Sequence, residues 1–303
     1  MSIWVCGEVL IDMIPVAPGS NERTPHVGGG PANTAKALAR LGHQVHFIDG
    51  ISTDAYGVSA RKELLADEVK LDLALTSDKP TCRAIVSLNK DGGASYEFEI
   101  DGTATFDFSL DWLPDPSRHK PQVLHIGTLV TIIQPGADVL YDWALQVAEF
   151  APIVFDPNIR PSVMGDRDLY EAAVEKWTAI SSVIKVSDDD LEWLFPGKSI
   201  EETAKRWVTD GAALVVVTRG ADGIIGFTSE GAVEVPGAKI VVADTVGAGD
   251  TVGAIVVEAM VEKGIMALTG DSLRETLARA AKAAGITCSR KGAEPPYKHE
   301  LKG

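Results

Sequence analysis

The stretch DTVGAGDTVG, residues 244–253, contains three glycines and two aspartates and runs directly into an apolar segment with helical character. Gly247 and Gly249 allow the backbone to approach a ligand closely, and the helix predicted from about residue 250 to residue 263 presents unpaired N–H groups there. The last glycine of a dinucleotide-binding fingerprint is missing, because Val252 stands in its place. The stretch therefore predicts an anion-binding turn at the amino end of a helix.

Asp250 lies inside this anion site, and it has two interpretations. In phosphoryl transfer, a carboxylate can align the acceptor hydroxyl and take its proton, while the N–H groups of Gly247, Ala248 and Gly249 stabilise the transferring phosphoryl oxygens. Asp250 would then be the general base. Alternatively, Asp250 only complements the helix dipole and Asp244 caps a turn, as aspartates near helix starts often do.

The composition is that of a soluble globular protein with a large acidic excess. Of 303 residues, 45% are hydrophobic and 23% are charged, which suits one large α/β domain. The 43 acidic and 28 basic side chains give a formal charge of -15, which repels nucleic acid and the anionic face of membranes. An anionic ligand must therefore be held by local groups such as helix N-termini, a few placed Arg or Lys side chains, or a bridging metal.

The cysteines and the amino-terminal segment bear on the cellular compartment. Cys6, Cys82 and Cys288 are widely spaced, so neither a disulfide framework nor a zinc site is supported, and we expect reduced, mostly buried thiols. Glu8 and Asp12 interrupt the apolar start of the chain, which resembles a buried strand more than a signal peptide. The sequence also has no apolar run of the roughly 20 residues that a membrane helix needs, so we expect a cytoplasmic protein.

Short apolar runs alternate with amphipathic segments along most of the chain. Buried strands of a parallel sheet are predicted at residues 3–9, 45–48, 123–126, 153–155, 183–186 and 214–218. Helices are predicted between them, including one over residues 31–41 and two that open with capping boxes at residues 199–202 and 272–275. This rhythm predicts a single α/β domain over residues 1–303, with a doubly wound, mostly parallel central sheet flanked by helices.

Residues 83–100 break this rhythm, because apolar and polar residues alternate with period two on both sides of Asp91-Gly92-Gly93. The pattern is typical of a β-hairpin. A symmetric register puts six apolar side chains on one face: Ala84, Val86, Leu88, Tyr96, Phe98 and Ile100. This apolar face could belong to an edge of the main sheet, to a dimer contact, or to a small sheet that covers a site.

A second glycine-rich turn precedes a helix in VGGGPANTAKALARLG, residues 27–42, with Pro31 in the first turn. Its small residues would let backbone amides and the side chain of Asn33 reach a polyhydroxyl ligand, although a local turn-forming role explains Asn33 equally well. Asp12, after the first predicted strand, either accepts hydrogen bonds from sugar hydroxyls or simply marks the end of that strand.

These residues resemble the signatures of the ribokinase-like, or pfkB, family of carbohydrate kinases. GGGPAN at residues 28–33 matches the amino-terminal signature and DTVGAGDT at residues 244–251 the carboxy-terminal one, so the resemblance covers essentially the whole chain. GEVLIDMIP at residues 7–15 and FDPNIR at residues 155–160 are most similar to bacterial fructokinases. The resemblance implies a ribokinase-like fold with a small β-sheet lid. It also implies ATP-dependent transfer of the γ-phosphoryl group to a sugar hydroxyl, with D-fructose and fructose 6-phosphate as the leading expectation.

The resemblance also assigns residues to the sugar, the phosphoryl group and the nucleotide. It implies a lid built from about residues 11–17 and 82–101, which closes over the sugar and excludes water. The catalytic set that it implies is Asp250 with the amides of Gly247, Ala248 and Gly249. The sugar-binding set is Asp12, Gly29, Gly30, Asn33, Phe98, Arg160 and Asp250. The nucleotide-binding set is Lys185, Ser187, Thr218, Gly220, Gly223, Gly247 and Gly249.

Two metal ions follow from the same resemblance. Mg2+ would neutralise the phosphates of ATP, with Asp190 in its shell, and a monovalent cation such as K+ would lie near Asp244 and residues 287–292. Many relatives carry Asn-x-x-Glu where this chain has Ser187-Asp188-Asp189-Asp190. Ser187 and Asp190 can reach a metal through water, but Ser-x-x-Asp is also typical of an ordinary helix cap.

Other activities stay open at this point. Within the family the alternatives are ribokinase and 2-keto-3-deoxygluconate kinase, and the second is disfavoured because Glu97, Glu99 and Asp101 in the lid would repel its acidic substrate. Outside the family, the alternative is a sugar or nucleotide sensor, which would not need Asp250. We expect a small-molecule sugar and ATP as partners, no nucleic acid or membrane, and either a monomer or a homodimer paired through the lids.

Overall fold

The computed structural model describes residues 2–17, 19–88 and 94–302. Its strands are β1 (Ile3–Cys6), β2 (Leu10–Pro15), β3 (Arg23–Gly28), β4 (Val45–Ile48), β5 (Gly50–Ser52), β6 (Leu75–Ser77), β7 (Arg83–Leu88), β8 (Ala94–Glu99), β9 (Val123–Gly127), β10 (Ile153–Asp156), β11 (Val183–Ser187), β12 (Leu214–Thr218), β13 (Ile224–Thr228) and β14 (Gly231–Val235). Its α-helices are α1 (Gly30–Arg40), α2 (Ala55–Ala66), α3 (Pro116–His119), α4 (Gly136–Ala148), α5 (Arg167–Thr178), α6 (Asp188–Leu194), α7 (Ile200–Thr209), α8 (Ala248–Lys263) and α9 (Gly270–Cys288).

The main sheet has the strand order β14-β13-β12-β11-β10-β9-β1-β4. The strands from β12 to β4 in this order are parallel, and β13 and β14 extend the sheet as antiparallel strands at one edge. All six predicted strands are present. The first ends at Cys6 instead of Val9, because the chain turns out of the sheet at Gly7, whose φ is +147° and where a Cβ would lie 2.2 Å from Cγ of Pro31.

Helices cover both faces of this sheet. In β1, Ile3 and Val5 are buried in one apolar core, and Trp4 and Cys6 are buried in a second core. The first core includes side chains of α1, α2, α8 and α9, and the second includes side chains of α4, α5, α6 and α7. The predicted doubly wound arrangement is therefore confirmed, with each parallel strand apolar on both sides.

The strand order reverses between β1 and β9. From β1 the chain first adds β4 on one side of the sheet and later adds β9, β10, β11 and β12 on the other side. Ligands of doubly wound sheets bind in the crevice at the carboxyl ends of the strands that flank such a reversal. In this chain, Glu8 follows β1 and Thr128 follows β9 at that edge.

A smaller four-stranded sheet, the small sheet, has the order β3-β2-β7-β8. The predicted hairpin is confirmed, since β7 pairs with β8 and places Ala84 opposite Phe98 and Val86 opposite Tyr96. The predicted turn at residues 91–93 lies outside the described residues. β3 was not predicted, because only Pro25 and Val27 in it are apolar and proline argues against a strand, although an edge strand tolerates it. That residues 11–17 and 82–101 act as a lid stays a prediction, as does pairing of two subunits through this sheet.

Three of the four predicted helix starts lie within two residues of the observed ones, including the start of α8 at Ala248, and the fourth is wrong. α1 begins at Gly30, one residue before the prediction, and Ser199 caps α7 by accepting from the N–H of Glu202 at 3.1 Å. Ser272 does not cap α9, because the N–H of Leu273 donates to the carbonyl of Thr269 and starts the helix a turn earlier, at Gly270. The three cysteines are free thiols, and Cys6 and Cys82 are buried as expected. In the described part of the chain, no helix combines the length and apolarity required to cross a membrane.

Candidate active site

A pocket of about 410 Å³ opens at the reversal point of the main sheet, beneath β8 of the small sheet. It brings together residues from β2, α1, β8, β11 and α8 and from the loops after β1, β9 and β10. The predicted site residues that line it are Asp12, Gly29, Gly30, Asn33, Phe98, Arg160, Lys185, Gly247, Gly249 and Asp250. A larger cleft of about 570 Å³ lies between residues 234–240 and α9, and the described residues that line it include none of the predicted site residues.

Asp250 sits in the first turn of α8, which begins after Gly247 with φ +79°. Its side chain is 7% exposed, and its Oδ2 accepts a hydrogen bond of 2.8 Å from the side-chain amide of Asn33 on α1. Burial raises the pKa of Asp250 to about 6, although the nearby charge of Lys185 and the bond from Asn33 oppose the shift. A carboxylate with such a pKa is ionised at neutral pH and can accept a proton from an alcohol during its attack.

The turn before α8 supplies the backbone of the predicted anion site. Gly247 and Gly249 line the pocket. The N–H of Ala248 donates to the carbonyl of Thr245 at 3.3 Å within the turn, and a role of Ala248 toward an anion stays a prediction. A Cβ on Gly247 would lie 2.7 Å from Cβ of Ala293, so the close approach of residue 293 requires glycine there. The amide groups that face the pocket are therefore those around Gly247 and Gly249, at the positive end of the helix dipole.

Lys185 on β11 places a positive charge beside this turn. Its Nζ lies 2.9 Å from Oδ2 of Asp156 at the end of β10, and the two side chains are 4% and 2% exposed. A Cβ on Gly249 would lie 2.8 Å from Nζ of Lys185, which shows how closely the ammonium approaches the anion turn. Burial lowers the pKa of Lys185, but the attraction of Asp156 and Asp250 outweighs burial and leaves the pKa above its ordinary value. Lys185 is therefore a permanent cation at the bottom of the pocket.

The other side of the pocket carries polar groups suited to a sugar. Burial raises the pKa of Asp12 to about 6, and the charges of Arg160 and His26 oppose this shift. Nη1 of Arg160 donates to Oδ1 of Asn158 at 2.8 Å. Asp12, Phe98 and Tyr96 lie on one face of the small sheet, because Asp12 pairs with Ala84 and Ala84 with Phe98.

Seven lining residues were missed by the sequence analysis: Glu8, Leu10, Tyr96, Leu129, Asn158, Thr245 and Val246. The sequence did offer a reason to assign Glu8 to the site, since it is a carboxylate within the apolar start of the chain. This carboxylate was used only as an argument against a signal peptide. The carboxyl group of Glu8 is buried, and its Oε1 accepts a hydrogen bond from the hydroxyl of Thr128. Tyr96 was placed on the correct face of the hairpin but was not assigned to the site.

Several residues expected at the nucleotide lie outside this pocket. Ser187 and Thr218 are paired in register at the carboxyl ends of β11 and β12, the same edge of the sheet at which Lys185 lies. Gly220 and Gly223 lie in the turn that connects β12 to β13. These positions are adjacent to the pocket along the sheet edge, so their contact with a nucleotide stays a prediction.

Asp190 and Asp244, the expected metal residues, are both engaged by backbone groups. Oδ1 of Asp190 accepts from the N–H of Ile159 at 2.9 Å and Oδ2 from the N–H of Ser187 at 3.1 Å. Asp190 therefore completes the capping box of α6, whose N-cap is Ser187, and fixes the loop that carries Arg160. Asp244 accepts from the N–H of Gly292 at 2.9 Å, which places it beside residues 287–292 as expected. Their roles toward Mg2+ and a monovalent cation stay predictions.

Comparison with known proteins identifies the family of the chain. Residues 2–300 match the family described as pfkB family carbohydrate kinase. The chain is 36% identical over 251 residues to a fructokinase of Rhizobium leguminosarum bv. trifolii, which covers 82% of this chain and 76% of that protein. It is 29% identical over 251 residues to an aminoimidazole riboside kinase of Salmonella typhimurium, covering 82% and 77% of the two chains.

The fold has a close counterpart among solved structures. The fructokinase of Vibrio cholerae O395 in its fructose, ADP and calcium ion bound form superposes with a TM-score of 0.86 and 27% sequence identity, over 99% of this chain and 98% of that chain. Because the family match spans nearly the whole sequence, the fold agrees and the signature residues converge on one pocket, this chain belongs to the pfkB family of carbohydrate kinases, phosphotransferases that act on a sugar hydroxyl.

Proposed function

We propose that this protein is an ATP-dependent fructokinase that transfers the γ-phosphoryl group to D-fructose and forms fructose 6-phosphate. The observation that carries the proposal is the position of Asp250, a buried carboxylate with a pKa of about 6 in the first turn of α8, facing a pocket lined by sugar-compatible groups. Asp250 takes the proton of the attacking hydroxyl. The amides around Gly247 and Gly249 and the ammonium of Lys185 stabilise the negative charge of the transferring phosphoryl group.

The charge balance of the pocket supports a divalent cation with the nucleotide. Among the described lining residues, the cations Lys185 and Arg160 are matched by the ionised carboxylates of Asp12 and Asp250. Mg2+ binds through phosphates, waters and one or two carboxylates, so it suits a site whose own positive charge is limited. Asp190 already accepts two backbone N–H groups, so it would reach Mg2+ through water rather than directly. When bound, the divalent metal would neutralise the charge of the phosphates. We propose K+ near Asp244 for the same reason, because a cation there would offset negative charge.

The small sheet is proposed to act as the lid over the sugar. Tyr96 and Phe98 on β8 have ring centroids 6.2 Å apart and both line the pocket, so they present an apolar wall to the bound sugar. Closure of this wall would keep water away from the phosphoryl group.

Fructose is favoured over the acidic substrate 2-keto-3-deoxygluconate by the acids inside the pocket. Glu97 and Glu99 lie on the face of the small sheet opposite to Phe98, so they do not provide the repulsion that the sequence analysis invoked. Asp12 and Asp250, whose pKa values of about 6 leave them ionised at neutral pH, line the pocket instead and disfavour a carboxylate ligand. The named relatives include a fructokinase and an aminoimidazole riboside kinase, so a riboside is the main neutral competitor.

A panel of acceptors tests the proposal. ADP release from ATP is measured with wild-type protein and D-fructose, D-ribose, aminoimidazole riboside and 2-keto-3-deoxygluconate at matched concentrations. We expect the highest kcat/KM with fructose. A higher kcat/KM with any of the other acceptors would reassign the substrate, and absence of ADP release with every acceptor would favour the sensor.

A further inference from the structure

Glu8 is a buried carboxylic acid with one unused oxygen at the pocket. The residue is 3% exposed, and Oε1 accepts a hydrogen bond from the hydroxyl of Thr128 on the opposite side of the reversal point. Oε2 is buried and has no hydrogen-bond partner among the described residues, although Glu8 lines the pocket. A buried polar atom without a partner costs free energy, so this oxygen is arranged for a ligand.

The surroundings of Glu8 oppose its ionisation. The charged and titratable groups that face it are Asp250 on α8, Asp49 after β4, Arg160 after β10, Tyr170 on α5, Cys6 on β1 and Cys82 before β7. Arg160 is the favourable charge in this group, and it is shared with Asp12. Burial is the largest cause and Asp250 adds to it, and together they outweigh the backbone N–H groups of Glu8 and Val130 and the charge of Arg160, so that the pKa of Glu8 is raised to about 8.

A protonated Glu8 can donate one hydrogen bond as well as accept one. Since Oε1 already accepts from Thr128, the acid proton is placed on Oε2, which can donate to an oxygen in the pocket. We propose that Glu8 is a specificity-determining residue that donates a hydrogen bond from its carboxylic acid to a hydroxyl oxygen of a neutral sugar acceptor. This inference rests on the proposed function and extends it to the recognition of the acceptor.

The test compares Glu8→Gln and Glu8→Ala with wild type by kcat and KM at pH 7 and pH 9, using each acceptor of the panel that wild type phosphorylates. Glu8→Ala removes the donor and should raise the KM for the sugar by roughly three- to tenfold at pH 7, with a much smaller change in kcat. Glu8→Gln keeps an N–H donor of the same length, so its KM should stay close to that of wild type at pH 7.

The KM values at pH 9 distinguish a hydrogen-bond donor role of Glu8 from a purely structural role. At pH 9, one unit above a pKa of about 8, roughly a tenth of Glu8 stays protonated, so the wild-type KM should rise by up to about tenfold. The KM of Glu8→Gln should not rise, because an amide does not titrate in this range. Glu97→Gln removes an exposed carboxylate on the outer face of the small sheet and should follow the wild-type pH dependence. Thermal unfolding of each variant verifies folding, and the comparison at pH 9 stands even where Glu8→Ala does not fold.

The possible outcomes distinguish the donor role of Glu8 from the assignment of fructose as the acceptor. If fructose is phosphorylated and Glu8→Gln shows the same rise of KM at pH 9 as wild type, the donor role of Glu8 is wrong and the fructokinase proposal stands. If another neutral acceptor replaces fructose and its KM follows the expected pattern, the assignment of fructose is wrong and the role of Glu8 stands. Phosphorylation of 2-keto-3-deoxygluconate alone would overturn both.

Discussion

The side-chain amide of Asn33 on α1 donates to Oδ2 of Asp250 on α8 across 2.8 Å, although the two residues are 217 positions apart in the sequence. This bond joins the two glycine-rich turns into one site. It occupies Oδ2, while Oδ1 lies 3.2 Å from the position that a Cβ on Gly30 would take. The orientation of Asp250 is therefore fixed, with one oxygen held by Asn33 and the other directed toward the Gly30 side of the pocket.

Replacement of the proposed base should abolish most of the activity without unfolding the protein. Asp250→Asn keeps the shape of the side chain but cannot accept the proton, so kcat should fall by roughly 10² to 10⁴. The melting temperature should be maintained, because burial already disfavours the charge of Asp250. Coupled ADP release and thermal unfolding measure both quantities. Asp271→Asn, at an exposed aspartate in the first turn of α9, is the matched control and should keep the wild-type kcat. Equal kcat values in the two variants would mean that Asp250 only complements the helix dipole and is not the base.

The activity should depend on pH through the same carboxylate. The base must be ionised, and the ionised fraction of a group with a pKa of about 6 falls as the pH decreases through 6, so kcat should decrease on the acidic side. The charge of Lys185 lowers the pKa of Asp250, so this acidic limb should move to higher pH in Lys185→Met. Profiles of kcat from pH 5 to pH 8 at saturating substrate test the prediction, and a flat wild-type profile would contradict it.

Breaking the buried ion pair should destabilise the fold. Lys185→Met leaves Asp156 buried without its cation and should cost about 3–5 kcal/mol in the free energy of unfolding. The double variant Lys185→Met/Asp156→Asn removes both charges and should recover much of that loss. Lys205→Met, at an exposed lysine paired with Glu201 within α7, is the control and should leave stability nearly unchanged. Urea unfolding gives these values, and similar losses at Lys185 and Lys205 would contradict the prediction.

A methyl group at the sugar side of the pocket should reduce activity more than stability. A Cβ on Gly30 would lie 3.0 Å from Nδ2 of Asn158 and 3.2 Å from Oδ1 of Asp250, so Gly30→Ala crowds both groups. We expect kcat/KM to fall by roughly 10-fold or more, because small displacements of positioned groups are costly for catalysis. Gly165→Ala, where the nearest heavy atom to a Cβ is 3.7 Å away, is the control and should retain kcat/KM. A retained kcat/KM in Gly30→Ala would mean that the acceptor does not approach this turn.

The pH dependence of the thermal stability should reveal the raised pKa of Glu8 independently of catalysis. Its folded-state pKa of about 8 lies above the ordinary value of 4.5, so its stabilising contribution is present below pH 4.5 and is lost as the pH rises through 8. Glu8→Gln does not ionise, so its melting temperature relative to wild type should increase between pH 5 and pH 9. A difference in melting temperature that is independent of pH would show that Glu8 titrates at its ordinary pKa.

Elements with a local pattern were predicted well, and the site residues that match the family were predicted through the resemblance, whereas long-range hydrogen-bond partners were missed. The apolar runs of β4 and β12 and the alternation in β7 and β8 have periods set by the backbone itself, so their strands were identified from sequence. Glu8 was missed as a site residue because its hydroxyl partner, Thr128, lies 120 residues away. Hydrogen-bond partners of this kind depend on the folded geometry rather than on spacing.

The sequence by itself determined the family, the doubly wound sheet and the two glycine-rich turns, because glycine, proline and apolar periodicity restrict the backbone locally. Only the tertiary structure decided how the polar side chains pair inside the pocket. It placed Asn33 against Asp250, Lys185 against Asp156, and Glu8 at the reversal between β1 and β9. The physical reason is burial, since the pKa values and hydrogen-bond partners of these groups depend on the removal of water by residues far away in the chain.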